Sequence, residues 1–383
     1  MRFLHTADWH LGRIFHNFHL TDDQAYVLDQ FIQVAEDVRP DAIIIAGDVY
    51  DRSVPPPEAV SLFDEVLTRL SLDIGVPVLV IAGNHDSPER LGFGDRVLAR
   101  QNIRMVGQVA AHIEPVVLSD KDGPVYFCPL PYVEPAIVRE RLAVDVHSHE
   151  QALRAALTEL SSKVPPGARQ VALAHAFVAG GSGSESERPL AVGAVAAVPP
   201  AVFEGFQYVA LGHLHRPQSV GGEHIRYSGS LLKYSFDEAG HQKTITLVDM
   251  DRDGRVCLEP ISLTPRRDVR CVTGHLEELL ALGEKDANSS DYIAVTLRDS
   301  GPILDAIGKL RRVYPNVLQI ERSEYALSEG LVVSQADHRR QSEADLFADF
   351  FRQATGQVLE DGEAATLARM LEEFYRRERE VRT

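Results

Sequence analysis

The chain has 383 residues, of which 44% are hydrophobic and 25% are charged, as in an ordinary globular protein. Its formal net charge of −17 argues against bulk positive charge as a means of holding nucleic acid, so a metal centre, local arginines or a basic partner would have to supply the attraction. The apolar runs are too short to cross a bilayer, no secretory signal is recognisable, and the three separated cysteines fit neither a disulfide set nor a zinc site, which predicts a cytoplasmic protein without membrane contact.

In about the first 260 residues, short apolar strands alternate with amphipathic helices, which predicts a layered α/β fold. The predicted strands are Arg2–His5, Ala42–Ala46, Val78–Ala82, Val125–Pro129, Val171–Ala174 and Tyr208–Leu211. The predicted helices are Thr21–Arg39 with Thr21 as N-cap, Pro57–Leu70, Pro88–Arg100 and Glu150–Lys163. Further antiparallel strands are expected between Ile225 and Asp251, and Gly180–Glu187 ("GGSGSESE") is expected to be a flexible loop.

The pattern changes near Arg267, where a β-α-β-α-β unit is predicted, followed by a polar link and two terminal helices. The predicted domains are 1–265, 266–327 and 328–383. Each terminal helix places apolar residues on one face: Leu346, Phe347, Phe350 and Phe351 in the first, and Leu367, Met370, Leu371 and Phe374 in the second. These helices form either a hairpin packed on the body or a docking surface for a partner.

Five apolar runs end in side chains that suit a divalent metal. The candidate residues are Asp8, His10, Asp48, Asn84, His85, Asp86, His175, His213 and His215. Strand ends line one crevice in a covered sheet, and residues one apart in an extended segment point the same way, so these side chains are expected to share one pocket. Gly47, Gly83 and Gly212 precede ligands and would let the chain turn sharply.

The number and type of these ligands predict a pair of metal ions. Seven side chains (Asp8, His10, Asp48, Asn84, His175, His213 and His215) give four bonds to each of two ions if one carboxylate bridges. Imidazole, carboxylate and amide ligands without thiolate suit Mn²⁺, Fe or Zn better than Ca²⁺. Two such ions about 3.5–4 Å apart are the recurring arrangement for hydrolysing phosphate esters.

The motifs "DWH", "GDVYDR", "GNHD", a lone histidine and "GHLH" resemble, in order, those of the calcineurin-like metallophosphoesterases. The stretch "YSGSLLKYSFDE" is similar to the Mre-type nuclease branch of that superfamily. The resemblance implies a layered β-sandwich flanked by helices, with a small α/β capping domain and C-terminal helices. It also implies a Mn²⁺-dependent nuclease that holds two Mn²⁺ per chain. The activities implied are exonuclease action on double-stranded DNA and endonuclease action on single strands or hairpins.

The family also implies a role for each site residue. Asp8, His10, Asp48 and His215 would hold one ion, and Asp48 would bridge to a second ion held by Asn84, His175 and His213. His85 would stabilise or protonate the leaving oxygen. We expect Asp51 to be a second catalytic residue that hydrogen-bonds His85, with Arg52 near phosphate; the alternative is a surface salt bridge between Asp51 and Arg52. Asp86 is expected to brace its turn, and Ser230 and Lys233 are candidate contacts to the DNA backbone.

The resemblance further implies a homodimer that acts with an SbcC-type coiled-coil ATPase in DNA repair and recombination, docked through the C-terminal helices. Such a partner would supply much of the basic surface that this acidic chain lacks. The alternative function is a phosphatase or cyclic-nucleotide phosphodiesterase on the same dimetal scaffold.

Overall fold

A computed structural model describes residues 1–110, 113–188, 197–299 and 303–322, with short stretches between 347 and 370. The chain divides into two compact units, Met1–Val269 and Arg270–Thr383. Among the described residues, no helix has both the length and the apolar character needed to span a membrane.

The first unit is built on two six-stranded sheets. Its strands are β1 Arg2–Thr6, β2 Ile14–Phe15, β3 Phe18–His19, β4 Ala42–Ala46, β5 Val78–Ile81, β6 Ile103–Val106, β7 Val116–Asp120, β8 Gly123–Leu130, β9 Arg169–His175, β10 Tyr208–Gly212, β11 Gln218–Ser219, β12 Ile225–Tyr227, β13 Thr244–Met250 and β14 Val256–Ser262. One sheet has the order β14-β13-β1-β4-β5-β6, the other has the order β11-β12-β10-β9-β8-β7, and β2 and β3 form a separate hairpin. Every strand predicted individually in this part of the chain is present.

Helices of this unit lie between the strands. They are α1 Thr21–Val38, α2 Pro57–Thr68, α3 Pro88–Leu91, α4 Asp95–Leu98, α5 Pro135–Leu142 and α6 His149–Ser162, with a π-helical turn at Arg69–Ile74 and 3₁₀ turns at Ala99–Gln101, Pro200–Phe203 and Phe236–Gly240.

Three details of the predicted elements are wrong. The N-cap of α1 is Leu20 rather than Thr21, and its side chain makes no capping bond. The single helix predicted over Pro88–Arg100 is broken into α3, α4 and a 3₁₀ turn, because Gly94 adopts a φ of +80° between them. Strand β12 runs parallel to β10, so only its pairing with β11 is antiparallel.

The two sheets enclose a shared apolar core. Phe3 of β1 meets Phe127 of β8 and Tyr208 of β10 edge to face, with ring centroids 5.7 and 5.6 Å apart. Such pairs favour a fixed arrangement of the facing strands, in addition to the gain from burying the rings. This packing makes the first unit a β-sandwich with helices around it, which agrees with the predicted fold class.

Helices cover the outer faces of the sandwich. Trp9, buried just after β1, contacts Phe31 of α1 and Phe63 of α2, with centroids 5.8 and 6.0 Å apart. On the other sheet, Leu153 and Leu157 of α6 belong to a second apolar cluster that includes residues of β9 and β10. The central strands are therefore covered on both faces, which favours apolar residues along their interiors.

The second unit contains a three-stranded sheet and two helices. Its elements are β15 Val269–Gly274, α7 Leu276–Gly283, β16 Tyr292–Leu297, α8 Ala306–Arg311 and β17 Val317–Arg322, in the sheet order β15-β16-β17. Leu279 of α7 and Leu310 of α8 pack against Ile293 and Val295 of β16. The predicted β-α-β-α-β order is thus present.

Most of the predicted terminal helices lies outside the described residues. Of their apolar positions, Leu346, Phe350, Leu371 and Phe374 are not described, whereas Phe347, Phe351, Leu367 and Met370 belong to described helical stretches. Their docking role stays a prediction.

Candidate metal centre

The candidate ligands follow the carboxyl ends of neighbouring parallel strands. In one sheet, β1 pairs in parallel with β4, and β4 with β5; in the other, β9 pairs in parallel with β10. Asp8 and His10 come after β1, Asp48 after β4 and Asn84 after β5. His175 ends β9, and His213 and His215 follow β10. Parallel strands bring their carboxyl ends to one edge, so the seven residues lie together.

The backbone at four of these ligands is left-handed. Asp8, His10, Asp48 and His213 have φ values of 54°, 47°, 51° and 109°. Non-glycine residues rarely adopt this conformation, and where they do, the surrounding structure must compensate for the strain. The expectation that the paired ligands point the same way because their segments are extended is therefore wrong: turns, not strand alternation, aim them.

Of the three glycines next to the site, one provides a turn and two provide space. Gly47 has a φ of +94°, as the predicted sharp turn requires. At Gly83 a Cβ would lie 2.1 Å from Oδ1 of Asp48, and at Gly212 it would lie 1.9 Å from the carbonyl oxygen of Ala46. Neither of these two glycines has a positive φ. Their role is to allow close approach of the strands.

One group of ligands surrounds His10. Its Nε2 lies 3.0 Å from Nε2 of His215 and 3.7 Å from Oδ2 of Asp48. Asp8, His10 and His215 each offer a ligand atom within 4.8 Å of the others. Asp8 is held in place by the backbone N–H of His213, which donates to its Oδ1 and Oδ2 at 2.9 and 3.1 Å.

A second group surrounds His175. Its Nε2 lies 3.0 Å from Oδ1 of Asn84 and 3.4 Å from Oδ2 of Asp48. The same Asn84 oxygen is 3.3 Å from Nδ1 of His213. His175 Nδ1 donates to the carbonyl oxygen of Ala46 at 2.9 Å, which leaves Nε2 free as a ligand atom. Oδ2 of Asp48 therefore lies between the two groups, where a bridging ligand belongs.

Burial and mutual charge shift the pKa values of these groups. Burial alone would raise the pKa of Asp48, but the neighbouring His175 outweighs it and lowers that pKa well below its usual range. Burial would likewise lower the pKa of His175, yet Asp48 raises it to about 9. Burial raises the pKa of Asp8 well above its ordinary value and lowers the pKa of His213 to about 3. The His175 imidazolium thus pairs with one buried carboxylate, Asp48, while burial favours the neutral form of the other, Asp8; a divalent cation would favour the charged form of both.

The donor set fits divalent metal ions. Nδ1 of His10 is buried and has no hydrogen-bond partner among the described residues, and its Nε2 faces another imidazole nitrogen. Buried polar atoms are normally satisfied, so such an arrangement calls for a further partner. Imidazole, carboxylate and amide donors without thiolate suit Mn²⁺, Fe or Zn.

The predicted contact between Asp51 and His85 is made by the backbone. His85 Nδ1 donates to the main-chain oxygen of Asp51 at 2.8 Å. The Asp51 carboxylate instead accepts from Arg13 at 2.9 Å and lies 3.7 Å from Nδ1 of His10. The hydrogen bond between Asp51 and His85 is therefore present, but it comes from the main chain rather than the carboxylate. The alternative pairing with Arg52 is wrong, because the carboxylate pairs with Arg13 instead. His85 is nearly buried, and its ring centroid is 4.7 Å from that of His10.

The two candidate DNA contacts in "YSGSLLKYSFDE" are engaged internally. Ser230 is fully buried, and its hydroxyl donates to the carbonyl of Leu232 and accepts from Lys243. Lys233 donates to the carbonyl of Ala239 at 2.7 Å and pairs with a carboxylate at 2.8 Å. These contacts argue against a direct role in holding DNA. Arg52 is exposed beside Asp51, so its predicted place near phosphate stays a prediction.

Asp86 braces the site, as expected. Its carboxylate accepts from the backbone N–H groups of Gly83, Val49 and Tyr50 at 2.9, 3.1 and 2.9 Å. These bonds join the turn after β5 to the turn after β4. Burial, reinforced by the charge of Asp48, raises the pKa of Asp86 to about 7.

Several supporting residues were not anticipated. Gln24 of α1 donates to the carbonyls of Trp9 and His10 at 3.1 and 2.7 Å, and so holds the first motif. The loop Gly180–Glu187, predicted to be flexible, contacts His215 through Ser186 and Glu187. The acidic "DE" that ends "YSGSLLKYSFDE" was the only hint of a buried carboxylate, Glu238, in this region.

Comparisons with known proteins agree with this geometry. The calcineurin-like phosphoesterase family matches residues 1–217, which is more than half of the chain. A second family, SbcD_C, described as the type 5 capsule protein repressor C-terminal domain, matches residues 265–355. The SbcD subunit of the nuclease SbcCD from Staphylococcus epidermidis is 32% identical over 372 residues, which cover 97% of this chain and 98% of that protein.

Among solved structures, TT1561 of Thermus thermophilus is 14% identical and covers 68% of this chain and 98% of its own, with a TM-score of 0.38. A dimetal phosphatase from Danio rerio is 15% identical and covers 69% and 98%, also with a TM-score of 0.38. Likenesses this loose carry no argument about function.

Proposed function

The chain belongs to the calcineurin-like phosphoesterases and to the family of the SbcD nuclease subunits, and from this premise we propose that it is a metal-dependent nuclease that hydrolyses phosphodiester bonds in DNA. The observation that carries the proposal is the convergence of seven side chains from five strand ends, with the Asp48 carboxylate between two groups of donors. Neither family alone would require this chain to have kept a complete set of ligands.

The proposed metal ions are two Mn²⁺. Asp8, His10, Asp48 and His215 would hold one ion, and Asp48, Asn84, His175 and His213 the other. When bound, the pair supplies an activated water and neutralises the charge that builds up on the phosphoryl oxygens. The supporting observation is the mixed nitrogen and oxygen donor set, which Mn²⁺ accepts.

His85 is the proposed catalytic residue. Its Nδ1 donates to the Asp51 carbonyl, which fixes the ring and leaves Nε2 for the substrate. Its backbone N–H donates to Oδ1 of Asp48 at 2.9 Å, so the residue is tied to the centre without using its ring. From this position Nε2 would stabilise or protonate the leaving oxygen. Asp51 is not assigned a catalytic proton transfer; its carbonyl orients His85.

The remaining parts of the chain are assigned to access and assembly. We propose that residues 266–327 cap the approach to the site and that residues 328–383 dock an SbcC-type coiled-coil ATPase. A net charge of −17 makes a basic partner valuable, because DNA would otherwise be repelled over much of the surface. The strand and hairpin specificities, the homodimer and the cytoplasmic location stay predictions.

The test compares substrates and variants of the full-length chain with Mn²⁺. We expect linear duplex DNA to be degraded, and we expect hydrolysis of a phosphomonoester or a cyclic nucleotide to be much weaker. His85→Gln should lower DNA cleavage by about 10²–10⁴-fold while both Mn²⁺ ions still bind, because the ring is not a ligand.

His147→Gln is the matched control, since His147 is an exposed histidine paired with Asp145. It should leave cleavage unchanged. Efficient hydrolysis of a cyclic nucleotide with no action on DNA would instead support the phosphodiesterase. Full activity of His85→Gln would remove this residue from the mechanism.

A further inference from the structure

The two ring nitrogens of His215 have different surroundings. Its Nε2 faces Nε2 of His10 at 3.0 Å, inside the candidate metal centre. Its Nδ1 faces away from that centre, 2.5 Å from the hydroxyl of Ser186 and 3.4 Å from Oε1 of Glu238. The side chain is 1% exposed, so water does not compete for either nitrogen.

Glu238 is a fully buried carboxylate at the centre of a polar network. Its Oε1 accepts from the hydroxyls of Ser186 and Ser235, and its Oε2 accepts from Nζ of Lys243. Lys243 also donates to the carbonyl oxygen of His215 at 2.8 Å and to Ser230 at 2.9 Å. An ion pair buried this deeply contributes little net stability, because both charges lose their hydration. Glu238 and Lys243 both contact His215, so we expect this ion pair to act on His215 rather than on overall stability.

The hydrogen-bond directions in the network follow from its chemistry. A carboxylate only accepts, and Ser186 can donate its single proton only once. Since that proton goes to Glu238, the serine oxygen is left to accept from Nδ1 of His215. Nδ1 must then carry the imidazole proton, and Nε2 keeps its lone pair.

We propose that Ser186 and Glu238 are positioning residues that hold His215 as the Nδ1–H tautomer and so make Nε2 its metal-binding atom. The identity of the metal donor rests on the proposed function, whereas the tautomer does not. Partners of this kind orient metal-binding histidines in many proteins, and their loss typically costs about 10–100-fold in metal affinity.

The loop Gly180–Glu187 is then part of the metal centre. Ser186 hydrogen-bonds the ring of His215, and Oε1 of Glu187 accepts from the backbone N–H of His215 at 2.6 Å. Oε2 of Glu187 accepts from the N–H of Ser184, which closes the loop on itself. The glycine- and serine-rich composition thus serves a tight turn over a ligand.

The tautomer is tested in the metal-free, full-length protein by long-range ¹H–¹⁵N correlation on histidine-labelled samples, with His215 assigned from the signals that disappear in His215→Gln. We expect a protonated Nδ1 and an unprotonated Nε2. Ser186→Ala should shift the population toward the other tautomer. An Nε2–H signal for His215 in the wild-type protein would overturn the proposal.

Metal affinity gives the second readout, by calorimetric titration with Mn²⁺ alone. Ser186→Ala should weaken one of two Mn²⁺ sites by about 10–100-fold and leave the other unchanged. Glu238→Gln should do the same or more, and Ser186→Ala keeps the test informative if that variant does not fold. Ser182→Ala is the control, because Ser182 lies in the same loop but is exposed. Folded Ser186→Ala with wild-type Mn²⁺ affinity at both sites would overturn the proposal.

The two measurements separate this inference from the proposed function. If the wild-type protein binds no Mn²⁺ but shows the Nδ1–H tautomer, the proposed function fails and the positioning role of the network stands. If Mn²⁺ binds at two sites and His215 is the Nε2–H tautomer, the positioning role of the network fails and the proposed function stands.

Discussion

Gly212→Ala is expected to lower the stability of the fold and to damage the metal centre, because Gly212 of β10 lies close to Ala46 of β4 in the other sheet. A Cβ at Gly212 would lie 1.9 Å from the carbonyl oxygen of Ala46 and 2.8 Å from Nδ1 of His175. Ordinary contacts at such an atom begin near 3.4 Å, so β4 and β10 must separate by more than about 1 Å. Both near atoms belong to rigid parts of the fold, and the strain cannot be relieved by a side-chain rotation.

The expected cost follows from overpacking a well-packed region, which is typically about 1–3 kcal/mol. In a protein unit of this size, each kcal/mol lowers the melting temperature by about 2–4 °C. The shift also pulls the Ala46 carbonyl away from the His175 ring, to which it is bonded at 2.9 Å. His175 and His213 then no longer both lie next to Oδ1 of Asn84, so the Mn²⁺ stoichiometry should fall from two to one.

The assay is thermal unfolding without metal, followed by Mn²⁺ titration of the folded protein. Gly240→Ala is the matched control, because a Cβ there meets no heavy atom within 4 Å and its φ is not in the left-handed region. It should melt with the wild-type protein. A Gly212→Ala protein that melts at the wild-type temperature and binds two Mn²⁺ would refute the reasoning.

Two further predictions concern carboxylates that hold the scaffold. The side chain of Asp120 is buried and hydrogen-bonds Arg169 at 2.6 and 2.9 Å, which lowers the pKa of Asp120. Its stabilising contribution is therefore complete above its unfolded pKa of about 4, and it is lost as the pH falls below that value toward the folded pKa. Asp120→Asn should therefore lower the free energy of unfolding by about 3 kcal/mol at pH 7, because Arg169 stays buried without its charged partner. It should also flatten the acid limb of a stability–pH profile measured by urea unfolding, and an unchanged acid limb would contradict this. Asp86→Asn places an amide N–H group where three backbone N–H groups donate. It should lower the free energy of unfolding, measured in urea, by about 1–3 kcal/mol and weaken Mn²⁺ binding. Wild-type values for both would show that these bonds do not support the site.

Much of the sandwich could be predicted from local sequence. Strand β4 has the predicted bounds, because three consecutive isoleucines lie between Asp41 and the pair Gly47–Asp48. The helix predicted after Pro88 is interrupted although its apolar residues have helical spacing, because Gly92 and Gly94 lie inside it and glycine is unfavourable in a helix interior. The parallel direction of β12 depends on its partner β10, and no local pattern encodes that.

The candidate ligands were predictable for a simple physical reason. A polar side chain at the end of a buried strand needs a partner, and five such ends in parallel neighbours meet at one edge. The second layer of the site was not predictable in this way. Glu238 reaches Ser186 across 52 residues of sequence, and a lone serine in a glycine-rich loop looks like any solvated residue.

The same limit applies at Lys233 and Asp51. A lysine in a motif shared with nucleases suggests a phosphate contact, but this one is bonded to Ala239 and to a carboxylate. For Asp51, the sequence places the residue beside the site without showing whether its carboxylate or its carbonyl meets His85. The carboxylate of Asp51 pairs with Arg13, which leaves the carbonyl of Asp51 to bond His85. Local sequence does not show this pairing, because the two residues are 38 positions apart.

The most direct measurement is anomalous scattering at the manganese edge from crystals of the full-length protein grown with Mn²⁺. Two peaks should appear on either side of the Asp48 carboxylate, one within reach of His10 and His215 and the other within reach of Asn84, His175 and His213. A single peak away from Asp48, or no ordered manganese among these side chains, would contradict the assignment of a two-metal nuclease centre.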